Sequence, residues 1–248
     1  MFDLDGKVAL VTGCDTGLGQ GIALALAEAG CDVVGVNIVP SDATASLIAE
    51  TRRRFHDIRA DLRTAAPLEI VAQATGAFGR IDILVNNAGI IRRADALEFT
   101  ERDWDDVIDL NLKAVFFMSQ AVARQFIAQK SPGRIINIAS MLSFQGGIRV
   151  PSYTASKSGV MGLTRLLANE WAQHGITVNA IAPGYMSTNN TEALRADPVR
   201  SAEILGRIPA ARWGLPADLA GPVVFLASAA SAYVTGHTLA VDGGWLAR

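Results

Sequence analysis

The sequence predicts an α/β fold: a single domain on a doubly wound, seven-stranded parallel sheet with helices on both faces. Three observations carry this. Short apolar runs ending in small or polar residues recur along the chain and alternate with longer helical patterns. The first run is followed at once by a glycine turn and a helix. No linker, repeat or low-complexity tract interrupts the alternation, so residues 1–248 read as one domain.

The first run, KVALVTG (7–13), has the continuous apolar character of a buried parallel strand. It leads into Gly13-Cys14-Asp15-Thr16-Gly17-Leu18-Gly19 and then a helical pattern from Gln20 to Ala29. Glycines there permit close approaches that a Cβ would block, and the helix start offers free N–H groups and a positive dipole end to a phosphate. The spacing is GxxxGxG, whereas the usual dinucleotide fingerprint is GxGxxG.

CDVVGVN (31–37) is the second strand. Its end is where an acid would bind the ribose hydroxyls of NAD, and a base the 2′-phosphate of NADP. Asn37 stands there, followed by Ile38, and no Arg or Lys lies in the glycine loop or just after the strand. The missing cation favours NAD as cofactor over NADP.

Residues 41–54 read as a helix, HDIRADL (56–62) as a third strand with Asp61 at its end, and 64–78 as a helix stopped by Gly79. IDILVNNAG (81–89) is a further strand; Asn86, Asn87, Ala88 and Gly89 lie at its carboxyl end, where ligands bind in such sheets. Residues 100–129 are mostly helical. Asn111 falls inside them despite poor helix propensity, which suggests a local distortion or a surface position. GRIINIAS (133–140) is the fifth strand and ends at Ser140; a helix from Pro151 to about His174 follows, then GITVNAIAPG (175–184) as the sixth strand. The long polar segment 185–212 reads as a lid. A helix from Leu215 to about Ser228 and the strand HTLAVDGG (237–244) complete the chain.

Tyr153 and Lys157 lie four residues apart, hence on one helical face. A phenol with a pKa of ~10 transfers protons poorly at neutral pH, and a nearby ammonium favours the phenolate. The pair is therefore a candidate general acid/base.

Composition narrows the classes. A net charge of −2 with no extended basic tract gives no nucleic-acid footprint. The N-terminus carries two acids before its first apolar run, unlike a signal peptide, and no apolar stretch reaches membrane-spanning length. Cys14 and Cys31 form no disulfide framework, which fits a reducing cytoplasm, and His56, His174 and His237 lack metal-ligand spacing. No metal, nucleic-acid or membrane partner is expected.

Taken together, Thr12-Gly13-xxx-Gly17-x-Gly19, Asn86-Asn87-Ala88-Gly89, Asn111, Ser140, Tyr153-xxx-Lys157 and Pro183-Gly184 with Thr188 resemble the short-chain dehydrogenase/reductase family over essentially the whole chain. The resemblance implies a Rossmann fold, an enzyme acting on CH–OH groups, and a homotetramer. It implies that Tyr153 is the proton donor/acceptor, that Lys157 lowers its pKa and meets the nicotinamide ribose, that Ser140 holds the substrate oxygen, and that Asn111 supports a proton-relay water. Gly13, Asp15, Thr16, Gly17, Leu18 and Gly19 would wrap the pyrophosphate side. Asn37 would face the adenosine ribose, and Asp61 and Leu62 the adenine. Asn87, Ala88 and Gly89 would line the nicotinamide side, and Pro183, Gly184, Met186 and Thr188 would meet the carboxamide. Asn37 departs from the family's frequent Asp.

Past the strand ends, Arg92, Arg93, Arg149 and Gln145 are candidates to bind a carboxylate or hydroxyls, beside Ser140 and Tyr153. The stretches 87–93, 185–191, 212–214 and 242–248 resemble the group of 2-deoxy-D-gluconate 3-dehydrogenases and 2-dehydro-3-deoxy-D-gluconate 5-dehydrogenases. That implies a carboxylated deoxy sugar as substrate. The alternatives are an NADPH-using 3-oxoacyl carrier-protein reductase and, from another class, a non-catalytic dinucleotide sensor.

Overall fold

In the computed structural model, which describes residues 1–248, seven strands form one parallel sheet. The strands are β1 (Val8–Thr12), β2 (Asp32–Asn37), β3 (Phe55–Arg59), β4 (Ile83–Asn86), β5 (Gly133–Ile138), β6 (Ile176–Pro183) and β7 (Thr238–Val241). Their order is β3-β2-β1-β4-β5-β6-β7. The helices are α1 (Gly17–Glu28), α2 (Asp42–Glu50), α3 (Pro67–Phe78), α4 (Glu101–Ile108), α5 (Ala114–Gln129), α6 (Pro151–Trp171), α7 (Glu192–Ala196), α8 (Pro198–Arg207) and α9 (Ala220–Ala227).

Alternation along the strands builds two cores. Ala9 and Val11 of β1 face α1 and α9, where Ile22, Leu26, Val223 and Leu226 are buried. Val8 and Leu10 face the other layer, with Val71 of α3 and Met118, Val122 and Phe126 of α5. Each large aliphatic side chain so buried is worth about 1.5–3 kcal/mol. This is the doubly wound architecture expected from the sequence.

The differences are local. The third strand stops at Arg59, short of Asp61, whose carbonyl accepts from the N–H groups of Thr64 (3.0 Å) and Ala65 (2.8 Å) and so belongs to a turn. The region 100–129 is two helices joined by a π-helical turn, Asp109–Lys113, with Asn111 at its centre. The segment 185–212 contains α7 and α8, and Met186 bridges to Gly214 at its base. No helix is long and apolar enough to cross a membrane.

Candidate active site

The strand order reverses between β1 and β4, and in such sheets ligands bind beyond the carboxyl ends at that point. A cleft of about 580 Å³ opens there.

The glycine loop forms its floor. Gly13 has φ +64°, and a Cβ on it would lie 2.9 Å from Ala88 Cα. A Cβ on Gly19 would lie 1.9 Å from the Gly13 carbonyl oxygen. Only glycine permits this packing. Thr12, given no role by the sequence reading, clamps the two loops: its Oγ1 accepts from the N–H groups of Asn87 and Ala88, each at 3.0 Å. Asn87 Nδ2 donates in return to the carbonyls of Thr12 (3.0 Å) and Gly13 (2.7 Å). Thr16, the residue preceding α1, makes no side-chain cap, so the first amides of the helix have no such partner. Asp15, Thr16, Gly17 and Leu18 edge the cleft beside them. A glycine cradle over uncapped helix amides fits the pyrophosphate of a dinucleotide.

The adenosine end departs from expectation. Asn37 borders the cleft but is only 3% exposed. Its Oδ1 accepts from the Cys14 N–H at 2.7 Å, and its Nδ2 donates to Asp57 Oδ1 at 2.9 Å. The amide expected to face the ribose is turned inward and holds the glycine loop. Leu62 and Asp61 edge the cleft, and hydrogen bonds from Arg63 hold the Asp61 carboxyl below the usual range. The sequence shows no cation just after β2. The fold brings one from β3: Arg59, in register with Asn37, donates from Nη2 to the Ile38 carbonyl at 2.9 Å.

At the other end stand Ser140, Tyr153 and Lys157. Pro151 opens α6, so Tyr153 sits in its first turn and Lys157 one turn on. Lys157 Nζ donates to the Ile138 carbonyl at 2.6 Å and lies 5.7 Å from the Tyr153 ring centroid. Burial pulls the Lys157 pKa down to about 8. Burial also raises the Tyr153 pKa above its ordinary value, while a hydrogen bond with Ser140 and the charge of Arg93 pull it down. Desolvation by burial is the largest influence on both groups. Ser140 Oγ accepts from the Leu142 N–H at 3.1 Å, which leaves its own proton free to donate.

Asn111 is fully buried in the π-helical turn. It pairs reciprocally with Ile90: the Ile90 N–H donates to Oδ1, and Nδ2 donates to the Ile90 carbonyl, both at 2.9 Å. The distortion that cost helix propensity anchors the loop after β4, as π-turns at functional sites often do. Gly89, Ala88 and Asn87 in that loop line the cleft.

The remaining residues divide. Thr188 reaches the cleft with Asn189 and Asn190, which the sequence reading did not assign to the cofactor. Pro183 closes β6, Gly184 packs against Asp242, and the Met186 side chain is buried in the core against Gly214, so these three do not line the cleft wall. Arg92 edges the cleft but is paired with Asp103 (3.6 Å) and Asp106 (3.0 Å). Arg149 is paired with Asp95 at 3.1 Å. Arg93 has no carboxylate partner; its Nη2 donates to the Asn190 carbonyl at 3.1 Å. Gln145 is bonded to Trp245 and Arg207. The Ile138 carbonyl that fixes Lys157 had no signal in the sequence, because a backbone oxygen carries none.

The family model for short chain dehydrogenases matches residues 7–199. The chain belongs to the short-chain dehydrogenase family. It is 70% identical over 248 residues to a 2-dehydro-3-deoxy-D-gluconate 5-dehydrogenase of Escherichia coli (strain K12), covering 100% of this chain and 98% of the relative. A protein of the same name from Bacillus subtilis (strain 168) is 52% identical, over 100% and 97%. A solved structure from Agrobacterium tumefaciens, assigned as a 2-deoxy-D-gluconate 3-dehydrogenase with bound NADP, superposes with a TM-score of 0.94 at 59% identity, covering 100% of this chain and 99% of that one. As a short-chain dehydrogenase, the protein is an oxidoreductase that takes a nicotinamide cofactor. No group of three His, Cys, Asp or Glu side chains is placed to hold a metal ion.

Proposed function

We propose that this short-chain dehydrogenase interconverts a secondary alcohol and a ketone on a deoxy sugar acid, as a 2-dehydro-3-deoxy-D-gluconate 5-dehydrogenase-like enzyme. The observation that carries the reading is Arg93. It is the one predicted arginine without a carboxylate partner, and its charge acts on Tyr153. A substrate carboxylate that reaches it would meet a cation not already neutralised by a carboxylate. The names of the relatives from E. coli and B. subtilis support the same substrate class.

A bound nicotinamide supplies the hydride acceptor or donor. Tyr153 handles the proton: as phenolate it takes the alcohol proton, and as phenol it returns it to the ketone oxygen. Ser140, bonded to Tyr153, shares that oxygen and stabilises the charge that develops on it. Lys157 holds a proton behind the phenol, and Asn111 fixes the loop against which the site closes. NAD is the proposed cofactor, with NADP admitted through Arg59, consistent with NADP in the A. tumefaciens structure. Segment 185–212 is proposed as the lid, and a cytoplasmic homotetramer as the working form.

An activity panel tests this: deoxy ketosugar acids with NADH against 3-oxoacyl thioesters with NADPH. Turnover of the sugar acids is expected. Turnover of the thioesters alone would overturn the reading in favour of a carrier-protein reductase.

A further inference from the structure

Gln145 lies on the loop between Ser140 and the Tyr153 helix. Its Oε1 accepts from Trp245 Nε1 at 3.3 Å and from Arg207 Nη2 at 3.5 Å. Indole and guanidinium groups only donate. The carbonyl end of the amide is therefore claimed twice. Reversing the amide would set its NH2 against two donors. The NH2 itself donates to no acceptor in the protein, which leaves it as the free end.

The group that fixes this orientation is itself fixed. Trp245 is 5% exposed, with its ring edge-on to Tyr185 at 4.8 Å and the Arg207 guanidinium 4.1 Å above it. The Asp242 carboxylate accepts from the N–H groups of Gly244 and Leu246, each at 2.9 Å, and folds the tail back. Arg248 then donates to the Gly206 (2.7 Å) and Arg207 (3.1 Å) carbonyls at the end of α8. Tail, α8 and the Gln145 loop form one locked unit around Trp245.

We propose that Trp245 is a positioning residue for the substrate: it holds Gln145 so that the amide offers only N–H donors to the acceptor oxygens of a sugar acid. The inference rests on the substrate reading above. It gives the C-terminal tail, far in sequence from Tyr153, a part in specificity. Because a ground-state hydrogen bond is equally present in the transition state, the effect falls on KM and spares kcat.

The test is steady-state kinetics with the deoxy ketosugar acid on Trp245→Phe, Gln145→Leu and the double variant. Trp245→Phe keeps an aromatic six-membered ring at this position and removes the indole N–H donor. A rise of about ten-fold in substrate KM, the scale of one hydrogen bond, is expected in each single variant with little change in kcat or cofactor KM. The double variant should be no worse than Gln145→Leu, because both remove one interaction. Gln145→Glu still accepts from Trp245 but has no N–H to offer and adds a negative charge facing an acidic substrate, so its KM should rise at least as far. An unchanged KM in Trp245→Phe or Gln145→Glu, or multiplying effects in the double variant, would overturn the inference while wild-type turnover upholds the substrate reading. Absence of wild-type turnover on the acid would overturn both.

Discussion

Lys157 Nζ donates to the Ile138 carbonyl oxygen at 2.6 Å, so the strand that delivers Ser140 also fixes the lysine behind Tyr153. The ammonium is held where water cannot solvate it, and its pKa falls from 10.5 to about 8. The site thus stores a cost that the fold must offset.

That cost has a measurable sign. The folded pKa lies below the unfolded one, so the penalty is fully present below pH 8 and fades as pH rises toward 10.5. Lys157→Met should therefore be more stable than the wild type by on the order of 1–2 kcal/mol at pH 7, after the lost hydrogen bond is counted. The gap should shrink as pH rises from 8 to 10.5. Denaturant unfolding at several pH values checks this, and activity should be lost in the same variant.

Asn111→Leu removes both partners of the Ile90 backbone. Two part-buried polar groups left unpaired cost up to about 1–3 kcal/mol each, so a stability loss of roughly 1–3 kcal/mol is expected. Thermal melts read the stability. Cofactor titration should show weaker binding, because the loop carrying Asn87 to Gly89 is what Asn111 anchors.

Arg59 should decide tolerance of the 2′-phosphate. Arg59→Glu is expected to raise KM for NADP by about ten-fold or more, because a negative charge replaces the cation that β3 brings to the end of β2, while KM for NAD stays nearly level. The ratio of the two KM values is the readout. An unchanged ratio would leave NADP without its anchor in this site.

The pH profile follows from Tyr153. Burial raises its pKa above the ordinary value of 10.0, so the phenolate is scarce at neutral pH and its fraction climbs with pH. In the oxidising direction kcat/KM should rise with a slope of about one through neutral and mildly alkaline pH. In the reducing direction, which needs the phenol, it should stay flat over that range. A flat oxidising profile would point to another base.

Much of this was legible in the chain. Strand-loop-helix order around Gly13 to Gly19 pointed to the sheet and the cradle, because glycine at a crowded turn has a narrow physical meaning. Tyr153, Lys157 and Ser140 were legible through spacing and strand ends, and the misfit of Asn111 marked a real π-turn. What was not legible depends on partners distant in sequence. Asn37 could not be known to turn inward without Cys14 and Asp57. Arg59 reaches the end of β2 only through register. Arg92 and Arg149 carry the same charge as Arg93, and only the folded positions of Asp95, Asp103 and Asp106 separate them. The pKa of Tyr153 depends on burial, which a helical spacing does not report.

Tyr153→Phe tests the proton half of the site most directly. The variant keeps the ring and removes only the hydroxyl that Ser140 engages. It should fold, bind NAD with near wild-type affinity by fluorescence titration, and lose about 10²–10⁴-fold in kcat. A variant that binds NAD and turns over the sugar acid at near wild-type kcat would contradict the assignment of Tyr153 as the group that moves the proton.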